Sequence, residues 1–492
     1  MPDHDTAHPA LVSTSVPGLD VVLGGGLFQG ALVLIMGPPG SGKTTLATQI
    51  AFAAAQAHRK TIVFTALSES TTKLLKHLQR FAFFDASLIG VEIVFFSLEA
   101  FLADGVAAAS DAVIAATRQV GAELVIIDGF RGITGVASDP QQARAFLFDV
   151  GAALSLAGTT TIINSEAEPR DPKLFPESTT ADVILGLTYG VRDRRALRGI
   201  EAIKVRGGTP LPGIHALGLD GTGVLVYPRI ETQAITALPR PEVVAALPPW
   251  AASATSLTTA AFGIPALDAL LSGGVTRDTS TLLTGSLGTG KTLLALHFAL
   301  AGVAAGEPVV MLSFRETLPQ LLAKADAFAL GATLRAGLAA AGPLTLIRWE
   351  PVELVPEQVL DHLLTILAQT HAQRLVIDSL VELQRAVTET SSRGRIANVI
   401  AALLAVLRQR KVTLLGVLET SVTVTSTPDF AADPLAILAE NLLLLQHVGQ
   451  EEQIQRMLTV LKMRFAPHTL TRYPFTIAAP EGIRLGPSDT DR

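Results

Sequence analysis

Two glycine-rich loops that end in lysine and threonine occur in this chain of 492 residues. Residues Gly37–Thr44 and Gly285–Thr292 both fit the spacing G-x-x-x-x-G-K-[ST], and each lies between an apolar stretch and a helical pattern. In such loops, the backbone amides and the positive end of the following helix bind phosphate oxygens. A single match could be an ordinary glycine turn, but two matches in the same context predict two ATP sites.

Each loop supplies particular groups for ATP and Mg²⁺. The side chains of Lys43 and Lys291 would reach the β- and γ-phosphates, and those of Thr44 and Thr292 would ligate Mg²⁺. The predicted ATP-binding residues of the loops are Gly37, Gly40, Ser41, Gly42, Lys43, Thr44 and Thr45 in the first half, and Gly285, Gly288, Thr289, Gly290, Lys291, Thr292 and Leu293 in the second.

Carboxylates follow other apolar stretches. Asp128 and Asp378 end two of them, and ligands bind at the carboxyl ends of parallel strands. We predict that both hold Mg²⁺ through its water shell; the alternative is an aspartate that caps the next turn. Glu69 and Glu316 are the candidate bases that activate water. The alternative for these two is a glutamate that complements a helix dipole.

The two halves of the chain repeat each other. Asp20 and Asp268, and likewise Lys43 and Lys291, are 248 residues apart, and chance matches do not keep such a register. We therefore predict two domains, residues 11–230 and 256–485, joined by a linker at residues 231–255 that is rich in proline and alanine.

Short apolar strands alternate with longer helical patterns in each half. In the first half we predict strands at about Leu32–Met36, Thr61–Thr65, Leu124–Ile127 and Thr159–Asn164, with helices near residues 44–57, 71–81, 106–120 and 143–156. This order predicts an α/β fold with a mostly parallel sheet that helices cover on both faces. The last strands of each half have no helices between them, so we expect an antiparallel meander at the sheet edge.

Composition and charge limit the class of protein. The net charge is −6 without a long basic run, which argues against a nucleic-acid partner. The absence of cysteine excludes disulfides and zinc-thiolate sites. The first ten residues are polar, and the longest uncharged run is interrupted by glycines. We therefore expect a cytoplasmic protein without a membrane span.

A Lys-X-Arg sequence ends a late strand in each half. These two tips are Lys204-Val205-Arg206 and Lys462-Met463-Arg464, and Arg198 and Arg456 precede their lysines by the same interval. Alone, such residues read as a solvated edge strand. Their recurrence favours cations that reach the γ-phosphate of a neighbouring subunit, as arginine fingers do.

The tandem layout, both loops and both Lys-X-Arg tips resemble the KaiC family of ATPases over about residues 12–485. The resemblance implies two tandem RecA-like P-loop NTPase domains and a homohexameric double ring with ATP between subunits. It also implies that Lys204, Arg206, Lys462 and Arg464 act across the interface, and that Phe328 stacks on adenine.

The chain departs from the family pattern at positions that carry chemistry. The family has a pair of glutamates where this chain has Ser68-Glu69 and Arg315-Glu316, and the missing first glutamate is the usual general base. The family's autophosphorylated serine and threonine align with Ala436 and Ile437, which have no hydroxyl, although Thr425, Ser426 and Thr427 lie nearby. ATP binding is therefore a firmer expectation than hydrolysis.

Several functions fit these patterns. The leading hypothesis is a ring ATPase whose nucleotide state switches protein partners. The alternatives are a serine/threonine autokinase, a DNA-repair ATPase of the RecA or RadA type, and a scaffold that binds ATP without hydrolysis. The second site, with Arg315 where a glutamate is expected, should be the slower one.

Overall fold

A computed structural model describes residues 11–65, 70–168, 179–237, 257–420, 434–450 and 453–487. The chain divides into two compact units, residues 1–232 and 233–492. Glu69 and the residues 425–427 are among the predicted site residues that lie outside the described ranges.

The first unit is built on a nine-stranded mixed sheet in the order β11-β10-β9-β8-β3-β7-β6-β4-β5. Strands β8, β3, β7, β6, β4 and β5 are parallel, whereas β8 to β11 form an antiparallel meander at one edge. The described strands are β1 (Leu11–Val12), β2 (Leu27–Phe28), β3 (Leu32–Met36), β4 (Thr61–Thr65), β5 (Ile93–Ser97), β6 (Leu124–Asp128), β7 (Thr160–Ser165), β8 (Val183–Arg192), β9 (Arg195–Val205), β10 (His215–Asp220) and β11 (Gly223–Tyr227).

Helices cover both faces of this sheet because its central strands are apolar on both sides. Val33 and Ile35 of β3 belong to one buried cluster, and Leu32, Leu34 and Met36 belong to another. Alternate side chains of a strand point to opposite faces, so each face needs its own cover. The helices are α1 (Leu19–Leu23), α2 (Lys43–Gln56), α3 (Thr71–Leu78), α4 (Leu98–Leu102), α5 (Val106–Val120), α6 (Phe130–Val136), α7 (Pro140–Leu156) and α8 (Ile230–Ala237), with a 3₁₀ turn at Ala86–Leu88.

The second unit repeats the arrangement in the order β16-β15-β17-β18-β14-β19-β20-β21-β22. Its strands are β12 (Thr259–Ala260), β13 (Val275–Thr276), β14 (Ser280–Gly285), β15 (Val309–Ser313), β16 (Leu344–Arg348), β17 (Arg374–Asp378), β18 (Thr413–Glu419), β19 (Asn441–Gln450), β20 (Gln453–Met463), β21 (Arg472–Ala478) and β22 (Gly482–Leu485). Its helices are α9 (Pro265–Leu270), α10 (Lys291–Ala304), α11 (Leu318–Ala327), α12 (Gly331–Gly337), α13 (Pro356–Thr370), α14 (Leu380–Thr390), α15 (Arg395–Gln409) and α16 (Pro434–Leu438).

The predicted α/β class, the parallel core and the antiparallel meander are confirmed. Two features differ from the prediction. The edge strand β5 was not among the predicted strands, and the first seven residues of the predicted linker, 231–237, are helical. Helix α8 spans the division between the two units at residues 232 and 233, and its Ile230, Thr232 and Ala234 are buried. The bounds of the two domains stay a prediction.

Candidate active sites

The first phosphate loop joins β3 to α2 and depends on glycine at three positions. Gly37, Gly40 and Gly42 have φ angles of 152°, 79° and 104°, which other residues rarely adopt. A Cβ atom on Gly37 would lie 2.4 Å from the carbonyl oxygen of Leu187 on the next strand. Helix α2 begins at Lys43, so its free amides face the loop. The loop therefore has the conformation that binds phosphate.

The second loop joins β14 to α10 and has nearly the same backbone. Gly285, Gly288 and Gly290 have φ angles of 153°, 74° and 98°. Helix α10 begins at Lys291, as α2 begins at the first lysine. Thr289 is fully buried and its hydroxyl donates to Ser286 O at 2.8 Å, which closes the turn. Both halves of the chain thus fold the predicted motif in the same way.

The lysine of each loop folds over the loop itself. Lys43 Nζ donates to Gly37 O at 2.8 Å and to Pro38 O at 3.0 Å. Lys291 Nζ donates to Gly285 O at 2.9 Å and to Ser286 O at 2.6 Å. Burial lowers the pKa of both lysines, and nearby carboxylates oppose this shift. Each cation is therefore held at the centre of its loop, where phosphate would bind.

The predicted Mg²⁺ ligands come together at the carboxyl ends of the parallel strands. Asp378 accepts a hydrogen bond from Thr292, and burial raises the pKa of this aspartate. Asp128 is buried and accepts a hydrogen bond of 2.8 Å from Asn164 Nδ2. No group of three or more histidine or acidic residues that could hold a metal occurs within the described ranges. A hydroxyl and one carboxylate fit Mg²⁺, which keeps waters and takes its other ligands from the nucleotide.

A cleft opens beside each loop. The first has a volume of about 730 Å³ and is lined by Gly40, Gly42, Lys43, Thr44, Thr45, Asp128, Arg131, Asn164, Glu166, Arg198 and Leu219, among others. The second, of about 400 Å³, is lined by Gly288, Gly290, Lys291, Thr292, Leu293, Arg315, Glu316, Lys324, Phe328, Asp378, Ser379 and Glu419, among others. Most predicted loop residues and both aspartates therefore face a cavity that can hold a nucleotide.

Glu316, the candidate base of the second cleft, is paired with a lysine. Glu316 forms an ion pair with Lys324 of α11, and its second oxygen, Oε2, is buried without a partner among the described residues. The assignment of Glu316 as base stays a prediction, as does that of Glu69.

Arg315 occupies the position where the family pattern has its first glutamate. Its Nε donates to Glu382 Oε1 at 3.1 Å, and its Nη1 donates to Glu419 Oε2 at 2.8 Å. The side chain of Glu382 is 5% exposed. The arginine thus bridges a buried acid of α14 and an acid at the end of β18, beside the second phosphate loop.

Two acidic residues of these clefts escaped the sequence analysis. Glu166 directly follows β7, and Glu419 is the last residue of β18. Each of these strands pairs with the strand that leads into the phosphate loop of its unit. The offset of 253 residues between the two glutamates lies between those of the other repeated landmarks, so a residue-by-residue comparison of the halves would have found them. They were missed because no contiguous motif contains them.

Phe328, the predicted adenine contact, lines the cleft of the second unit, whereas the matching residue of the first unit lies outside the first cleft. Phe328 directly follows α11 and lines the second cleft beside Leu287 and Ile477. Phe81, the matching residue of the first unit, stacks on Phe83 with ring centroids 5.3 Å apart and does not line the first cleft. Stacking of adenine on Phe328 stays a prediction that this position supports.

Arg198 and Arg456 lie at the phosphate loops of their own units. Arg198 Nε donates to Gly40 O at 3.0 Å, and its guanidinium lies 4.9 Å from the ring centroid of Tyr189. Arg456 Nε lies 3.5 Å from Gly288 O. Each arginine therefore contacts the phosphate loop of its own unit, and its action in trans stays a prediction.

The Lys-X-Arg tips lie where the parallel strands of their sheets begin, at the end opposite to the phosphate loops. The amide of Arg206 donates to Asp182 O, and that of Asp182 donates to Leu32 O at the start of the loop strand. Gly37, which begins the loop, comes five residues later, about 17 Å along the strand. The second tip has the same bonds, from Arg464 to Glu440 and from Glu440 to Ser280.

Side chains within the tips are anchored to the backbone around them. Lys204 and Arg206 donate to Thr179 O, and Arg206 also pairs with Asp182 at 3.2 Å. Lys462 Nζ donates to Ala439 O at 2.6 Å and to Ile437 O at 3.1 Å. The middle residues, Val205 and Met463, pack against the buried clusters, and their contact with a nucleotide stays a prediction.

Comparisons with known proteins agree with this geometry. Residues 12–231 and 260–490 each match the family described as "ATPase: KaiC". The "Circadian clock protein KaiC3" of Synechocystis sp. is 27% identical over 511 residues, covering 99% of this chain and 94% of that protein. The "Circadian clock oscillator protein KaiC" of Rippkaea orientalis is 25% identical and covers 93% and 85%, respectively. No helix in the described ranges is long and apolar enough to cross a membrane.

Proposed function

The chain belongs to the KaiC family of ATPases, and on this premise we propose that it forms a homohexameric double ring in which each subunit completes the ATP site of the next. As an ATPase of this family it binds ATP with Mg²⁺. We further propose that the nucleotide state of the ring switches its contacts with protein partners.

The observation that carries the ring proposal is the position of the Lys-X-Arg tips. Arg206 and Arg464 are level with the first residues of the loop strands, Leu32 and Ser280, and therefore lie far from the loops of their own units. Cations so placed cannot meet the phosphates of their own unit, but they can meet those of an adjacent copy. A heterologous interface that closes into a ring supplies that copy.

Assembly is tested by mass photometry of the full chain with and without ATP and Mg²⁺. We expect a hexamer with ATP, because the nucleotide fills the interface and adds contacts to both subunits. The variants Lys204→Ala and Arg206→Ala should weaken the hexamer, whereas Lys76→Ala, which removes an exposed lysine of α3, should not. A chain that stays monomeric with ATP and Mg²⁺ would refute the ring.

The contribution of each site is tested by steady-state ATP hydrolysis of Lys43→Ala and Lys291→Ala. Each variant removes one phosphate-contacting cation and leaves the other unit intact. We expect the larger loss of turnover from Lys43→Ala, because Arg315 occupies the second cleft where relatives have an acid. Equal losses would contradict a slower second site.

Partner switching is tested by hydrogen exchange of the ring with ATP and with ADP. A switch requires surface segments outside the clefts whose amide protection differs between the two states, since a ligand can shift only an equilibrium between distinct states. Identical exchange outside the clefts in both states would refute this part of the proposal and leave the ATPase unaffected.

An autokinase is the alternative within the same family. The aligned positions hold Ala436 and Ile437, and the backbone carbonyl of the latter accepts from Lys462. Without a hydroxyl on either residue, no phosphate ester can form there. An intact mass that stays unchanged after incubation with ATP would remove this alternative.

A further inference from the structure

Glu166 and Glu419 hold the same place in the two units. In the second unit Glu419 is the register partner of Gly285, the first loop residue. In the first unit the amide of Gly37 donates to Ser165 O at 3.2 Å, and Glu166 is the next residue. Neighbouring parallel strands lie about 4.8 Å apart, so the backbone of each glutamate lies beside the first residue of the phosphate loop.

Both glutamates face the cleft and its central cation. Glu166 lines the first cleft with Lys43, and Glu419 lines the second with Lys291. Burial lowers the pKa of these lysines, and nearby carboxylates raise it. In each site the glutamate raises the pKa of the lysine more than the predicted Mg²⁺ aspartate does. Because each glutamate lines the same cleft as a lysine that would reach the β- and γ-phosphates, it lies on the side of the cleft where the terminal phosphate would bind.

An arginine holds each glutamate, but it comes from a different element in each unit. Glu166 Oε2 accepts from Arg131 Nη1 of α6 at 2.7 Å. Glu419 Oε2 accepts from Arg315 Nη1, which follows β15, at 2.8 Å. The reciprocal positions hold Val381 and Ser68, which cannot form the pair. Both units thus contain the arginine–glutamate pair, although the arginine comes from different positions in the chain. This recurrence is expected if the pair itself has a function in the cleft.

One oxygen of Glu419 remains available. Its Oε1 is shielded from solvent and has no hydrogen-bond partner among the described residues. An unpaired buried acceptor costs about 1–3 kcal/mol, so such atoms occur mainly where a ligand or water binds. A water molecule between this oxygen and the terminal phosphate would satisfy it.

We propose that Glu166 and Glu419 are the carboxylates that orient and deprotonate the attacking water, in place of the acid missing at Ser68 and Arg315, and that Arg131 and Arg315 are their positioning residues. This inference rests on the ATPase activity proposed above. The water oxygen bonds to the γ-phosphorus while the bond from that phosphorus to the β,γ-bridging oxygen breaks. The glutamate takes a proton from the water, and ADP and phosphate leave.

The experiment measures single-turnover hydrolysis and ATP affinity of the full chain. Glu419→Gln is made together with Lys43→Ala so that only the second cleft turns over, and Glu166→Gln is made together with Lys291→Ala. Since loss of a general base costs about 10²–10⁴-fold, we expect the rate to fall at least about 100-fold. ATP affinity, measured by calorimetry, should stay within about threefold, because the amide keeps the shape of the acid.

Two further variants make the test decisive. Glu350→Gln removes an acid from an exposed arginine pair outside the cleft and should leave both rate and affinity unchanged. Glu316→Gln tests the competing base. Turnover of Glu419→Gln within twofold of its parent, or a larger loss from Glu316→Gln than from Glu419→Gln, would overturn the proposal for the second cleft.

The positioning role of Arg315 is tested by splitting rate from affinity. Arg315→Met should lower the rate and leave ATP affinity near its parent value, and Arg315→Lys should restore part of the rate because it keeps the cation near Glu419. A purely structural arginine would instead lower affinity and rate together. If the wild-type chain hydrolyses ATP while both glutamine variants keep their rates, this inference fails and the ATPase function stands; a chain without turnover overturns both.

Discussion

Restoring the family's acid at position 315 should damage the second unit rather than improve it. The variant Arg315→Glu removes the cation that bridges Glu382 and Glu419 at 3.1 and 2.8 Å. It also adds a third carboxylate to these two, one of which is only 5% exposed. A carboxylate at position 315 would therefore face two other carboxylates that are now held by a cation.

The size of the effect follows from the exposure of the partners. Breaking a buried ion pair costs about 3–5 kcal/mol, but Arg315 is 50% exposed and Glu382 keeps Arg385 at 3.4 Å, so about 1–2 kcal/mol is a better value. Repulsion at about 5 Å and an effective dielectric constant of about 20 adds up to roughly 3 kcal/mol per pair before relaxation. Relaxation and solvent screening at this half-exposed position reduce the two repulsions to about 1 kcal/mol each, so we expect a total near 3–4 kcal/mol, or about a 10 °C fall in melting temperature.

Urea unfolding followed by the fluorescence of Trp349 measures this loss in the second unit. The chain has two tryptophans, and Trp250→Phe leaves Trp349, which contacts His362, as the single reporter. Adding Glu382→Gln to Arg315→Glu should recover about half of the loss, because it removes one repulsion.

The control is Arg484→Glu, which reverses the charge of an exposed pair with Glu481 in the same unit. It should produce a clearly smaller shift, since both partners are well solvated. Unfolding of Arg315→Glu at the wild-type urea concentration, or a gain in turnover by this variant, would refute the electrostatic reasoning.

Three more outcomes are expected from the second unit. Gly285→Ala should abolish ATP binding there, as shown by calorimetry, because its Cβ would lie 1.9 Å from a carbonyl oxygen of the adjacent strand. Arg374→Met should lower the free energy of unfolding by about 3 kcal/mol in urea titrations, because it leaves the carboxylate of Glu307 with one cation fewer in a buried site. Glu440→Gln should flatten the acid limb of a stability–pH curve. Burial alone would raise the pKa of Glu440, but hydrogen bonds from Ser280 and the charge of an arginine lower it overall. The ionised carboxylate therefore stabilises the folded state above about pH 4.5, and this stabilisation is lost as the pH falls through the lowered pKa. An unchanged acid limb would contradict this assignment.

Much of the fold could be predicted from local sequence. Glycine, proline and polar residues mark the ends of the central strands, so the predicted bounds of Leu32–Met36 and Thr61–Thr65 match the structure. The edge strand Ile93–Ser97 was missed because only Ile93 is fully buried, whereas its other residues are half-buried or exposed. At such an edge, tertiary packing rather than local pattern decides the conformation.

The candidate sites were predictable where their residues form one contiguous motif or end an apolar strand, and not where two distant residues pair. The loops form one motif each, whereas Glu166 and Arg131 are 35 residues apart, and Arg315 and Glu419 are 104 apart. Their meeting depends on the strand order. The position of Arg198 depends likewise on the direction of β9, which brings the start of that strand to the loop and its end to the far edge.

The separation of loop and tip within one unit has a genetic consequence. If the tips act on the next subunit, a chain with a defective loop still serves its neighbour, and a chain with a defective tip still uses its own loop. Two such mutant chains, each inactive alone, would complement each other when co-expressed, since about a quarter of the interfaces in a random mixed ring would pair a sound loop with a sound tip. Mutant alleles of this single gene would then behave as if they belonged to two genes.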